Sequence, residues 1–433
     1  MKVAHVKSYV TTLLNNKFVK NVLLVAGGTA GAQAIAMALV PLITRIYGPE
    51  IFGLQGIFVA MLAVITPIAA LTYPIAIVLP KKDPDAINLA KLSLLIALIT
   101  SSIAGGIVFF FGDVLVMVFN AEVMRSFLWL LPISMFLSAL QQVMSQWLIR
   151  KKEYKGLSQA TLLQAIMINL SKVAIGLAYP IAIILITVSA LANGIYAFFL
   201  WFSSKTVFKR SSDLISNQTN SNFKLIAKQY SDFAIYRTPQ VFINALSQSL
   251  PVLLLAAFFG PMSAGFYTLG KVVMGIPSSL IGKSVADVFY PKITEASHAQ
   301  KSLLPILKKA TFAMAVVGFI PFAVVGFYGP EMFSFVFGEE WLQAGVYARW
   351  LSIWLFFGFL NRPSVAAIAT LGLQKFFLFF ECLSILFRVI ALYVGFVIFK
   401  SDLIAVILFS LVGTLLNIYL VLKTFLYSKR SRE

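Results

Sequence analysis

The chain has 433 residues, 60% of them hydrophobic and 12% charged, with a formal net charge of +19. A soluble protein carries about 25% charged residues, so this composition excludes a water-soluble enzyme. Apolar runs of helix-spanning length recur without strand-like alternation, which excludes a β-barrel and leaves an all-α polytopic membrane protein. The positive charge does not indicate nucleic acid, because the basic residues sit in short loops between the apolar runs. Cys382 is the only cysteine, so no intramolecular disulfide and no cysteine-based metal site is expected.

Residues 1–21 are polar and basic (Lys2, Lys7, Lys17, Lys20) and read as a cytoplasmic lead-in. No small-residue cleavage site follows a short apolar region, so no removable signal peptide is expected. Six spans are expected near 22–46, 54–79, 88–111, 126–148, 157–179 and 181–202. A Ser/Asn-rich basic stretch over 203–236 is the longest polar break. It reads as a cytoplasmic tether, with a short amphipathic helix over 222–234. Six further spans fall near 237–259, 264–289, 308–328, 344–369, 374–399 and 402–427, followed by a basic tail, 428–433. With the N-terminus inside, the inner loops and tails hold 26 Lys/Arg and the outer loops and span edges four: Arg45, Arg125, Arg349 and Lys400. That asymmetry places both termini in the cytoplasm.

The two halves repeat. Tyr47-Gly48-Pro49 through Gly53 matches Phe259-Gly260-Pro261 through Gly265 at an offset of 212. Pro41 and Pro251, like Pro67 and Pro277, lie 210 apart; Tyr73-Pro74 and Tyr290-Pro291, like Gly112 and Gly329, lie 217 apart. Each half has an even number of spans, so the expected architecture is twelve transmembrane helices in two six-helix lobes, 22–202 and 237–427, related by a parallel internal repeat. Gly53 and Gly265 are expected to admit close helix contact, with Pro49 and Pro261 fixing rigid outer joints.

The segment Pro41-Leu42-Ile43-Thr44-Arg45-Ile46-Tyr47-Gly48-Pro49 to Phe52-Gly53-Leu54 resembles the first hairpin of bacterial polysaccharide repeat-unit flippases. These are the O-antigen, capsule and exopolysaccharide type within the multidrug/oligosaccharidyl-lipid/polysaccharide exporter superfamily. Trp147-Leu148-Ile149-Arg150 with Glu153-Tyr154-Lys155 is similar to that family's inner-loop pattern, echoed by Leu373-Gln374-Lys375-Phe376. The resemblance implies two lobes around a central cavity in the bacterial cytoplasmic (inner) membrane. It also implies outward translocation of polyprenyl-diphosphate-linked oligosaccharide, with other polysaccharide assembly proteins as further partners. A monomer without cofactors, binding no nucleic acid, is expected.

Ionisable residues inside spans are the first place to look for chemistry, since each costs at least ~2.5 kcal/mol at the bilayer centre. They are Lys172, Lys271, Lys283, Asp287, Arg362, Glu381 and Arg388. Lys283 and Asp287, spaced i, i+4, can simply pair. Lys172, Lys271, Arg362 and Arg388 are expected to give a basic cavity for the diphosphate, because guanidinium and ammonium groups suit phosphate oxygens. Arg45 is a further candidate, equally explained as an interfacial snorkel. Asp287 and Glu381 are the only membrane carboxylates, and so the candidates for ion coupling. Gln240, Asn244 and Gln248 share one helical stripe; with Gln33, Gln142 and Gln146 they form either interhelical hydrogen bonds or a polar wall facing sugar hydroxyls. Breaks at Pro67, Pro277 and Pro363 would widen the cavity.

No catalytic constellation is present: His5 and His298 lie far apart, and no phosphate-binding Gly-x-x-x-x-Gly-Lys-Ser/Thr loop occurs. The expectation is a flippase working by alternating access and not an enzyme. The alternatives are a cation-coupled multidrug or small-solute antiporter of the same superfamily, and a membrane glycan polymerase or ligase. The first usually carries more membrane carboxylates; the second needs a larger outer loop than 329–343.

Overall fold

In a lipid core every backbone polar group must find its partner within the chain, so continuous Leu/Ile/Ala/Phe runs fold as helices. A computed structural model of the protein describes residues 17–119, 122–207, 223–299, 302–368 and 370–430. Among these residues there is no strand. Eight helices are long and apolar enough to cross a membrane, the first of them carrying two of the expected spans. Large apolar side chains stand exposed along them, Phe110 at 77% and Phe335 at 83%, as lipid-facing positions require.

The first half contributes α1 (Lys17–Ala69), α2 (Asp83–Val118), α3 (Leu130–Arg150), α4 (Tyr154–Ala178) and α5 (Ala182–Ser203). A short helix, α6 (Phe223–Gln229), and a π-turn at Phe233–Arg237 fall where the tether was expected to be helical. Then follow α7 (Thr238–Phe259), α8 (Pro261–His298), α9 (Leu303–Phe337), α10 (Leu342–Leu360), α11 (Arg362–Ala367), α12 (Gln374–Val397) and α13 (Asp402–Arg430). The chain divides into two compact units: Met1–Tyr47 with Phe58–Ser249, and Gly48–Ile57 with Leu250–Glu433. Thus the ten residues that begin with the first Gly-Pro corner, Gly48–Ile57, belong to the second unit, and α6 with the first half of α7 belongs to the first.

The repeat is visible in the backbone. Gly48 (φ 66, ψ 173) interrupts α1, and Gly260 (φ 88, ψ 176) separates α7 from α8. Both occupy the same essentially glycine-only region, each followed by a proline whose fixed φ suits a helix start. The turn between spans 1 and 2 is therefore one residue long, and α1 resumes at once. The repeat loosens elsewhere: Tyr73-Pro74 opens a 3-10 turn (Tyr73–Val78), whereas Tyr290-Pro291 lies inside α8. The proline breaks also divide. Pro67 lies two residues before α1 ends, and Pro363 follows a real break between α10 and α11, but α8 runs unbroken through Pro277. A membrane helix tolerates such a proline when the freed carbonyl is satisfied locally.

In the first unit the C-terminal end of α3 is tied down by Arg150. Arg150 Nε donates to Asp83 Oδ1 at 3.0 Å, and its Nη1 donates to the Pro80 carbonyl at 2.6 Å and the Ile77 carbonyl at 3.3 Å. Lys151 also pairs with Asp83. These bonds close the end of the Tyr73–Val78 turn, over a cluster formed by Tyr73, Ile77, Ile87 and Trp147. Asp83-Pro84-Asp85 is accordingly a helix start, its acidic residues in the first turn of α2. Arg150→Gln should destabilise the protein by roughly 2 kcal/mol, the range for hydrogen bonds to a charged group; thermal unfolding in detergent, with Arg150→Lys as partial rescue, measures it.

Candidate functional site

The second unit gathers charge inside its helices. Lys271 stands on α8; Arg388 and Glu381 stand two turns apart on α12. All three are half-buried. The Arg388 guanidinium lies within electrostatic reach of Lys271, Glu381 and Tyr267. Its Nε donates to the Ser384 carbonyl at 3.0 Å, and its Cζ lies 5.9 Å from the centroid of the Trp354 ring. Trp354 is held in turn by Phe409 of α13, edge-on at 4.9 Å, and Phe409 also meets the Tyr267 ring at 6.1 Å. Gly413 permits this approach, since a Cβ there would lie 2.5 Å from Trp354 Cδ1. Tyr267 is fully buried, and its hydroxyl has no hydrogen-bond partner among the described residues.

No salt bridge joins Glu381 to Arg388 among the described residues. Arg388 therefore lies between a cation, Lys271, and a carboxylate, Glu381, beside Tyr267, Trp354 and Phe409. With its Nε on the Ser384 carbonyl, the Arg388 guanidinium keeps further donors suited to an anion. Tyr267 and Trp354 were not singled out in the sequence. Tyr267, one turn before Lys271, carries an i, i+4 signal; Trp354 carries none.

The other expected cations lie on other helices. Arg362 is exposed at the first position of α11 and shares no hydrogen bond, ion pair or ring contact with the cluster. Lys172 is half-buried on α4 of the first unit, its backbone carbonyl accepting the Tyr47 hydroxyl at 2.9 Å. Arg45 is exposed on α1. Asp287 lies in α8 among side chains outside the described residues.

The residues expected to form a polar wall all belong to the first unit. Gln240, Asn244 and Gln248 are all exposed on α7, as one stripe must be, and Gln240 Oε1 accepts a bond from Arg237 Nη1 at 2.8 Å. Gln33 on α1 is half-buried, with its Oε1 enclosed and unbonded. Gln142 and Gln146 on α3 are half-buried.

The second unit also contains the Gly-Pro corners, and they touch. A Cβ built on Gly53 would lie 1.8 Å from the Pro261 carbonyl oxygen, and one on Gly265 would lie 2.1 Å from the Pro49 carbonyl oxygen. The contact is reciprocal, backbone on backbone, and continues where Gly56 meets Thr268. Phe52 closes its side, edge-on to the buried Trp341 at 5.4 Å.

The family described as "Polysaccharide biosynthesis protein" matches residues 42–346. The fold is similar to an inward-facing multidrug resistance MATE family transporter of the MOP superfamily, at TM-score 0.72 and 14% identity, covering 92% of this chain and 95% of that one. It is also similar to the lipid II flippase MurJ in an inward closed conformation, at TM-score 0.68 and 15% identity, covering 94% and 90%. A third likeness, at TM-score 0.53 and 14% identity over 96% and 99%, is to a MOP superfamily transporter from Pyrococcus furiosus. No curated protein sequence matches this chain.

Proposed function

This chain belongs to the polysaccharide biosynthesis protein family, and from that premise we propose that it flips polyprenyl-diphosphate-linked oligosaccharide from the cytoplasmic to the outer leaflet by alternating access. Family and fold together support a multi-pass flippase or transporter. The observation that carries the finer reading is the Arg388 guanidinium, within electrostatic reach of Lys271 and with Trp354 beneath it, forming no salt bridge to Glu381. A diphosphate is a dense anion, and this cluster offers it a fork and a point charge. On this reading Arg362, Lys172 and Arg45 assist at other stages. Gln33, Gln142, Gln146, Gln240, Asn244 and Gln248 face the glycan, and Glu381 or Asp287 couples ions. The protein works as a monomer in a bacterial cytoplasmic membrane, both termini inside, with lobes 22–202 and 237–427 joined by the 203–236 tether.

The test is reconstitution in proteoliposomes with a fluorescent polyprenyl-diphosphate oligosaccharide, scored beside a simple cationic dye. Movement of the lipid-linked glycan without the dye is the expected result. Dye movement alone would overturn the proposal.

A further inference from the structure

A second feature of the second unit lies on its lipid-facing side. Helices α9 and α10 pack along one another and touch backbone to backbone at Gly329 and Gly345, where a Cβ on Gly345 would lie 2.4 Å from the Gly329 carbonyl oxygen. They close again where Gly318 seats against the Phe359 ring, 2.8 Å from a Cβ built there. Between these closures Gly326 and Ser352 lie at the floor of a space between the helices, a Cβ on Gly326 meeting Ser352 Oγ at 3.3 Å. The result is a groove of about 380 Å³, walled by Phe319, Phe322, Phe327, Ile353 and Phe356, with Arg349 at one end. Phe319 and Phe327 are exposed at 61% and 73%, so the groove opens outward from the helix pair.

Arg349 gives this groove its chemistry. Its Nη2 donates to the Phe327 carbonyl at 3.1 Å. Its Nε is enclosed and has no partner, and among the described residues no carboxylate forms a salt bridge with it. A guanidinium with unmet donors at the mouth of an apolar groove attracts a phosphate attached to an apolar chain. Arg349 lies seven residues into α10 from Leu342, about 10 Å along the axis. The charge map places that end at the outer face, so the guanidinium is within reach of headgroup level.

We propose that the α9–α10 groove binds one anionic phospholipid, an acyl chain lying between Gly329 and Gly318 and the headgroup phosphate on Arg349. The Gly318–Gly329 interval spans about 16 Å and is closed at both ends, which suits a single acyl chain. A polyprenyl tail would run far past either closure. The net positive charge of Arg349 favours an anionic over a zwitterionic headgroup. The site is independent of the proposed diphosphate cluster, and failure of either leaves the other standing.

Native mass spectrometry of the full-length protein, delipidated and titrated with phosphatidylglycerol or phosphatidylcholine, reads this directly. One tightly held phosphatidylglycerol is expected. Arg349→Gln should weaken it by roughly tenfold, in keeping with losing charge-assisted hydrogen bonds, and Arg349→Lys should restore part of the affinity. Ile353→Trp, at a lipid-exposed position that cannot disturb the core, should fill the groove and remove the lipid. Equal retention of both phospholipids would overturn the proposal. So would an Arg349→Gln or Ile353→Trp protein that binds like the wild type. Displacement of phosphatidylglycerol by a polyprenyl phosphate would reassign the groove to the carrier and also overturn it.

Discussion

Gly53→Ala and Gly265→Ala should each destabilise the protein by about 3 kcal/mol, the upper end for overpacking, because the obstacle is backbone and not a movable side chain. A methyl on Gly53 would overlap the Pro261 carbonyl oxygen at 1.8 Å, and one on Gly265 the Pro49 carbonyl oxygen at 2.1 Å. No rotamer change relieves either clash; the two corners have to separate. The paired variant should cost less than the sum of the singles, since one separation accommodates both methyls. Gly275→Ala is the control: it lies on the same helix as Gly265, and among the described residues nothing lies within 4 Å of an added Cβ. Replacing it should be neutral or stabilising by a few tenths to about 1 kcal/mol. Pro49→Ala and Pro261→Ala should cost only about 0.4–1 kcal/mol, because what these residues present to the opposite corner is a carbonyl that any residue would carry. Melting temperatures of the purified proteins decide the matter. Proline variants that unfold below the glycine variants would return the rigid joint to the prolines.

The contrast shows what was legible in the sequence. The positions of the corners were readable because local sterics dictate them: a residue at φ 66 or φ 88 with ψ near 175 has to be glycine, and a helix start favours proline. That the corners lie against each other was not readable, because the approach depends on where two distant helices cross. The same division holds at the charged cluster. Lys271, Glu381 and Arg388 stand out in apolar runs through their desolvation cost. Which of the buried cations meet depends on helix rotation, which an almost uniformly apolar sequence encodes only weakly. Trp354 is one aromatic among many, and nothing short of the packing singles it out. Arg150 illustrates the converse. Its place in a basic loop suggested topology alone, whereas hydrogen bonds to Asp83 and to the carbonyls of Ile77 and Pro80 make it the staple between α3 and the start of α2.

Arg388→Gln and Lys271→Gln should each reduce flipping of the lipid-linked glycan by at least roughly tenfold, the scale of a lost charge-assisted hydrogen bond, while leaving the fold intact or slightly more stable. The two readouts together separate function from structure. A cation kept in a membrane helix for a substrate is a standing cost to the apo protein, about 2.5 kcal/mol or more on insertion scales, so neutralising it relieves strain. A cation kept to neutralise Glu381 behaves oppositely, because removing it strands a carboxylate among apolar residues, and stability falls by several kcal/mol. The geometry favours the first case, for Arg388 spends its Nε on the Ser384 carbonyl and its face on Trp354 and forms no salt bridge to Glu381. Arg388→Lys should retain the charge but lose the planar fork and the stacking on Trp354, and so fall between wild type and Arg388→Gln. Glu381→Gln should leave binding of the anion unweakened, since it removes a negative charge within electrostatic reach of Arg388. It should abolish any dependence of flipping on an ion gradient if that carboxylate is the coupling group. An Arg388→Gln protein with normal flipping, or one that loses melting temperature in step with activity, would remove the cluster from the substrate path and leave it as a packing feature of the second unit.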